Sequence, residues 1–232
     1  MTEPATVVFL LDVDNTLLDN DAVVADMRQH LTSAFGRERQ EDYWKIFEAL
    51  RSELGYADYL GALQRYRIKN PRDPHFLQLS YFLLEYPFPD RLFPHALDVV
   101  ARLRTWGPTV ILSDGDVVFQ PRKIQRSGLF DAVAGHVLIY IHKEHELDDV
   151  EKHYPARHYV LVDDKLRILA AVKKSWGSRL TTVFVRQGHY AHDSKAIAGY
   201  PPADITVECI GDLLQYDLRA LTEEAIDRGK KS

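Results

Sequence analysis

The chain has 232 residues, 46% hydrophobic and 27% charged, which suits a globular domain with room for one sizeable insertion. A net charge of -5 argues against a nucleic-acid-binding face. A single cysteine, Cys209, excludes an intrachain disulfide and a multi-cysteine zinc site, fits a reducing compartment, and is expected in buried packing.

The first apolar run, Val7-Val8-Phe9-Leu10-Leu11, reads as a buried strand. It is too short to cross a membrane and lacks the flanks of an export signal, so a cytoplasmic chain with no membrane partner is expected. The strand ends in Asp12-Val13-Asp14-Asn15-Thr16. Alternate strand residues point the same way, so Asp12 and Asp14 can face one site. Two carboxylates that close require a shared proton or a cation between them.

Residues from about 20 to 88 read as helix upon helix. Val24, Met27, Leu31 and Phe35 recur at helical spacing before Gly36. Tyr43, Phe47, Leu50 and Leu54 repeat the pattern before Gly55, and Tyr59, Leu63 and Tyr66 suggest a third helix. Asn70-Pro71-Arg72-Asp73-Pro74 breaks the chain, and Phe76, Leu79 and Leu83 suggest a fourth. Tyr43, Trp44, Tyr56, Tyr59 and Tyr66 fit helix packing, and Arg65, Arg67 and Lys69 a solvated face.

From Pro94 onward strands and helices alternate. Leu97, Val100 and Leu103 give a helix its apolar face, and Thr109–Leu112 is a strand stopping at Ser113-Asp114-Gly115-Asp116. A helix near Gln120–Arg126 follows, then a strand over His136–Ile141 running into His142-Lys143. The charged run from Lys143 to Asp149 reads as a solvated helix face. Tyr159–Val162 is a strand ending at Asp163-Asp164-Lys165, and after a helix Thr182–Val185 is a fifth strand. This order predicts an α/β fold: a doubly wound, Rossmann-like parallel sheet at 1–18 and 92–232, with an all-helical cap inserted at 19–91.

In parallel strands, Asp12/Asp14, Ser113, Lys143 and Asp163/Asp164 meet at one edge. Hard oxygen donors beside a hydroxyl and an ammonium suit Mg²⁺ and a phosphate. These four clusters, in this order, resemble the motifs of the haloacid dehalogenase superfamily in its phosphatase branch. The resemblance covers roughly residues 5 to 190. It implies that Asp12 is the nucleophile and Asp14 the general acid and base. It also implies that Asp12, the backbone carbonyl of Asp14, Asp163 and Asp164 hold Mg²⁺, with Ser113, Asp114 and Lys143 on the substrate phosphoryl group. Lys123 competes with Lys143 for the phosphate; Lys143 is preferred because it follows a strand, and Lys123 is read as a surface residue.

The expected activity is hydrolysis of a small phosphorylated metabolite through an aspartyl-phosphate. A dehalogenase and a phosphomutase of the same superfamily, and a non-catalytic binding protein on the same fold, are the alternatives. The resemblance implies that the dehalogenases lack the second aspartate and need no metal.

Overall fold

The protein is described by a computed structural model over residues 3–218 and 220. Strand β1 (Ala5–Leu11) leads into four helices, α1 (Asn20–Phe35), α2 (Arg37–Leu54), α3 (Tyr59–Lys69) and α4 (Phe76–Glu85). The chain then alternates through α5 (Ala96–Arg104), β2 (Thr109–Asp114), α6 (Phe119–Arg126), α7 (Leu129–Ala132), β3 (Val137–Tyr140), α8 (Leu147–His153), β4 (Ala156–Asp163), α9 (Leu166–Trp176) and β5 (Leu180–Val185). Two short helices, α10 (Gly188–His192) and α11 (Ser194–Ile197), precede β6 (Ile205–Val207). No helix among the described residues is long and apolar enough to cross a membrane.

The sheet has six strands in the order β3-β2-β1-β4-β5-β6, and every pairing is parallel. Strand β1 is central, and its alternation separates two cores. Val7, Phe9 and Leu11 join Ile111, Val160 and Val162 on one face, with helices α5 and α6. Val8 and Leu10 join Val110, Leu112 and Leu161 on the other, with α8 and α9. A sheet covered on both faces explains why its strands are continuous apolar runs rather than alternating ones. Leu11 is level with Ile111 and Val162, so Asp12 follows β1 beside the C-terminal ends of β2 and β4.

The four inserted helices stop and start where their caps require. Asp19 accepts the Ala22 N–H at 2.8 Å ahead of α1, and Asp58 accepts the Gly61 N–H at 2.6 Å ahead of α3. Gly55 closes α2 at φ 81°, a left-handed value that suits glycine. Their apolar faces join the α5/α6 side of the core, and the bridge is aromatic. Phe47 stacks on Tyr59 at 4.7 Å, Tyr59 meets Phe119 of α6 at 5.0 Å, and Phe119 meets Phe88 at 5.7 Å.

Several expectations shift. Val23 rather than Val24 is buried in α1, and Val24 faces a cavity. Leu97 is exposed, while Ala96 and Val99 pack beside Val100 and Leu103. Tyr43, Trp44, Tyr59 and Tyr66 are buried, whereas Tyr56 is half-buried on the cavity wall. The side chain of Phe76, and residues 1–2, 219 and 221–232 of the expected core, lie outside the described residues. Cys209 is exposed, not buried. It caps the turn at Ile210–Gln215, with its Sγ 3.1 Å from Asp212 Oδ1.

Candidate active site

The end of β1 turns sharply, and Asn15 takes φ 61°, a left-handed conformation that asparagine tolerates. Its side chain and Asp21 bond reciprocally, each contact 3.1 Å. Gly188 lies against this turn at φ 69°, and a Cβ there would come within 2.4 Å of Asn15 Cβ. The turn is thereby locked between α1 and α10.

Asp12 is buried. Its Oδ1 accepts from Lys143 Nζ at 2.5 Å and its Oδ2 from Thr16 Oγ1 at 3.1 Å. Lys143 Nζ also lies 2.7 Å from Asp163 Oδ2 and donates to the Leu112 carbonyl at 3.2 Å. The lysine thus ties β1, β2 and β4 together from the turn after β3. Its backbone N–H donates to Asp114 Oδ1 at 2.7 Å, so the Asp114 carboxylate, expected on the substrate, holds Lys143. Ser113 Oγ accepts from Gln120 Nε2 at 2.9 Å.

Asp12, Asp163 and Asp164 form a buried trio whose carboxylate oxygens lie within 4.8 Å of one another. Asp163 Oδ1 accepts the Lys165 N–H at 2.9 Å. Both Asp164 oxygens are buried without a hydrogen-bond donor. Buried carboxylate oxygens without donors are costly unless a cation or proton meets them. The two Asp164 oxygens in that condition, beside the Asp12 and Asp163 carboxylates, fit a Mg²⁺ ion. The Asp14 carboxylate is not in this trio; the resemblance assigns the metal only its backbone carbonyl.

The electrostatics follow from burial. Desolvation pushes the Asp163 carboxyl up to about 6; Lys143 opposes this and the Asp12 charge reinforces it. Burial likewise pushes Asp164 well above the carboxylate range, against the pull of Lys165. Burial disfavours the Lys143 ammonium, but Asp12, Asp163 and Asp114 outweigh it and raise its pKa. Lys165 is raised in the same way, by Asp164, Asp12 and Asp163.

Lys123 is not a surface residue: it is 1% exposed, with Nζ 2.6 Å from Asp14 Oδ1 and 3.0 Å from Asn20 Oδ1. Phe119, Gln120, Lys123 and Ile124 share the inward face of α6, which carries the lysine under the β1 turn. Gln120 Nε2 also reaches Asp14 Oδ2 at 3.3 Å. The charged run after β3 is not uniformly solvated: Glu144 is buried and paired with Arg167, while His145, Glu146 and Asp148 are exposed.

Lys123, weighed against Lys143 and expected on the surface, is a site residue, and Gln120 and Lys165 join it without having been expected there. The i, i+3 pair Gln120/Lys123 and the lysine directly after the acidic pair were the available signals. Arg65 and Lys69 do lie on a solvated face, paired with Glu53 and Asp42.

A cavity of about 810 Å³ opens over this edge, between the inserted helices and the strand ends. Asp14, 26% exposed at its side chain, reaches it, as do Asp114 and Lys165.

The haloacid dehalogenase-like hydrolase family matches residues 6–164. No curated protein matches the chain. A crystal structure of a haloacid dehalogenase-like hydrolase from Burkholderia xenovorans is 65% identical, with a TM-score of 0.90, covering 94% of this chain and 99% of that one. The HAD-hydrolase YfnB from Bacillus subtilis, bound to magnesium, shares the fold at 16% identity and a TM-score of 0.58, covering 92% of this chain and 98% of its own. The L-2-haloacid dehalogenase from Xanthobacter autotrophicus shares it at 17% identity and 0.58, covering 90% and 96%. The chain belongs to the haloacid dehalogenase-like hydrolase family.

Proposed function

We propose that this hydrolase is a Mg²⁺-dependent phosphatase of a small phosphorylated metabolite, acting in the cytoplasm. The observation that carries the reading is the buried pair of Asp164 oxygens with no donor, beside Asp12 and Asp163. Asp12, Asp163 and Asp164 would hold the ion, with the backbone carbonyl of Asp14. Bound there, Mg²⁺ supplies positive charge against the phosphoryl oxygens.

Asp12 attacks phosphorus in line, and the bond from phosphorus to the leaving oxygen breaks. Asp14 gives its proton to that oxygen. Water then attacks the aspartyl-phosphate; Asp14 takes the water's proton, and the bond to Asp12 breaks to release inorganic phosphate. Two like-charged reactants meet in the first step, and Lys143, touching Asp12, offsets the repulsion. Ser113 Oγ donates to a phosphoryl oxygen. Lys123 and Gln120 are positioning residues that orient Asp14. Residues 19–91 act as a cap, closing the cavity over the reacting atoms and excluding water.

A 2-haloacid dehalogenase would also use Asp12, but it has no task for Asp14 or for a carboxylate trio. The test is a panel of phosphate esters and 2-haloacids with Mg²⁺ and with chelator. Ester hydrolysis that requires Mg²⁺ and is lost in Asp12→Asn is expected. Halide release in chelator, with no ester hydrolysed, would replace this reading with the dehalogenase.

A further inference from the structure

The carboxylates lining the cavity are already engaged. Asp14 is held by Lys123 at 2.6 Å, Asp21 by His189 Nδ1 at 2.6 Å, and Asp114 by the Lys143 N–H at 2.7 Å. Among the described lining carboxylates, Glu48 is met more loosely, 3.7 Å from Arg51 Nη1. The cations on the inserted helices are different. The Arg28 guanidinium lies over Trp44, 3.7 Å from the ring centroid, and has no carboxylate partner among the described residues. Trp44, Glu48 and Arg51 recur at i, i+4 and i+7, so they share one face of α2. At 1.5 Å per residue, Arg51 sits about 10 Å along the helix from Trp44, close enough for two arginines to converge on one group. Arg51 is also 5.9 Å from the Tyr190 ring, and Lys165 Nζ is 5.2 Å from the same ring. Tyr190 therefore links the arginine face to the lysine beside the carboxylate trio.

A guanidinium held over an indole at that distance is positioned by the ring while its N–H groups remain able to donate. Such a fork suits a planar or tetrahedral anion. The substrate phosphoryl group is accounted for by Ser113 and Lys143 at the strand ends. An anion at Arg28 must therefore be a second one.

Resting on the phosphatase reading, we propose that Arg28 and Arg51 clamp a second anionic group, a carboxylate or a phosphate, on the leaving group of the substrate. The protein then selects phosphomonoesters of anionic alcohols.

The test compares propyl phosphate, the phosphate ester of 3-hydroxypropanoate, and propane-1,3-diol bisphosphate, which differ only at the far end. Binding is measured by calorimetry with Mg²⁺ on Asp12→Asn, and turnover on the unsubstituted protein. One or both anionic esters should bind about tenfold or more tightly than propyl phosphate, and which of them does distinguishes carboxylate from phosphate. Arg28→Gln and Arg51→Gln, made in the Asp12→Asn background, should bring that ratio toward one, Arg28→Lys should restore only part of it, and Lys69→Gln, on an exposed lysine outside the cavity lining, should leave it intact. Equal binding of all three esters overturns the clamp. Turnover without selectivity defeats the clamp alone; selective binding with no turnover of any ester defeats the phosphatase reading alone; loss of both defeats both.

Discussion

Lys143→Met isolates the contact on which the site is built. The ammonium is 2% exposed, 2.5 Å from Asp12 and 2.7 Å from Asp163. Methionine fills similar volume but leaves two buried carboxylates facing each other. Breaking a buried pair from one side costs about 3–5 kcal/mol, far more than an exposed pair is worth. Asp163 limits the damage, because its carboxyl already titrates near pH 6 in the folded protein and takes up a proton more readily without the lysine. The sign follows: below pH 6 Asp163 is neutral with or without Lys143 and the deficit is smallest; above it the native protein sheds that proton while the variant must keep it, so the deficit grows as the pH rises. Urea denaturation in chelator, followed by circular dichroism at pH 8 and pH 5.5, reads both values. Asp12→Asn in the same chain should recover part of the loss, because it removes one of the two orphaned charges. A deficit below about 0.5 kcal/mol at pH 8, or one that grows on acidification, would refute the reasoning.

Lys123→Met should lower kcat by about 10–100-fold with a smaller change in KM, because it releases Asp14 rather than a substrate contact; steady-state kinetics on the best ester checks this. Gly188→Ala forces a Cβ into Asn15 at a left-handed φ, so it should cost more than about 1 kcal/mol in urea denaturation and reduce activity. His158 is 1% exposed, its Nε2 2.8 Å from Thr181 Oγ1, and burial with nearby Lys173 lowers its pKa from 6.5 to about 4. The unfolded chain binds a proton below pH 6.5 that the folded one refuses until about pH 4, so folding stability should fall by about 3 kcal/mol over that interval. His158→Gln should flatten that slope in pH-dependent denaturation.

What could be read from the sequence was whatever local periodicity or chain order encodes. The runs at Val7–Leu11 and Tyr159–Val162 announced buried strands because both of their faces are covered, and their polar ends fell together because parallel strands share an edge. β6 escaped notice because three residues after two prolines carry no period. Lys123 escaped because a lysine in a charged octapeptide looks solvated; its partner is 109 residues away, and only the packing of α6 under β1 brings them together. The same limit hid the Glu144–Arg167 pair and the exposure of Cys209. Arg28 is visible as a residue but not as a cation lacking a carboxylate partner among the described residues, which depends on where every nearby acid goes.

Everything proposed for the strand ends requires Asp12 to carry the phosphoryl group during turnover. Mixing the protein with Mg²⁺ and its best ester, quenching in acid within one turnover and mapping the modified peptide tests it directly. A phosphoryl group on Asp12 is expected, absent in Asp12→Asn and absent when Mg²⁺ is chelated. A phosphoryl group on any other residue, or full turnover by Asp12→Asn, would contradict it.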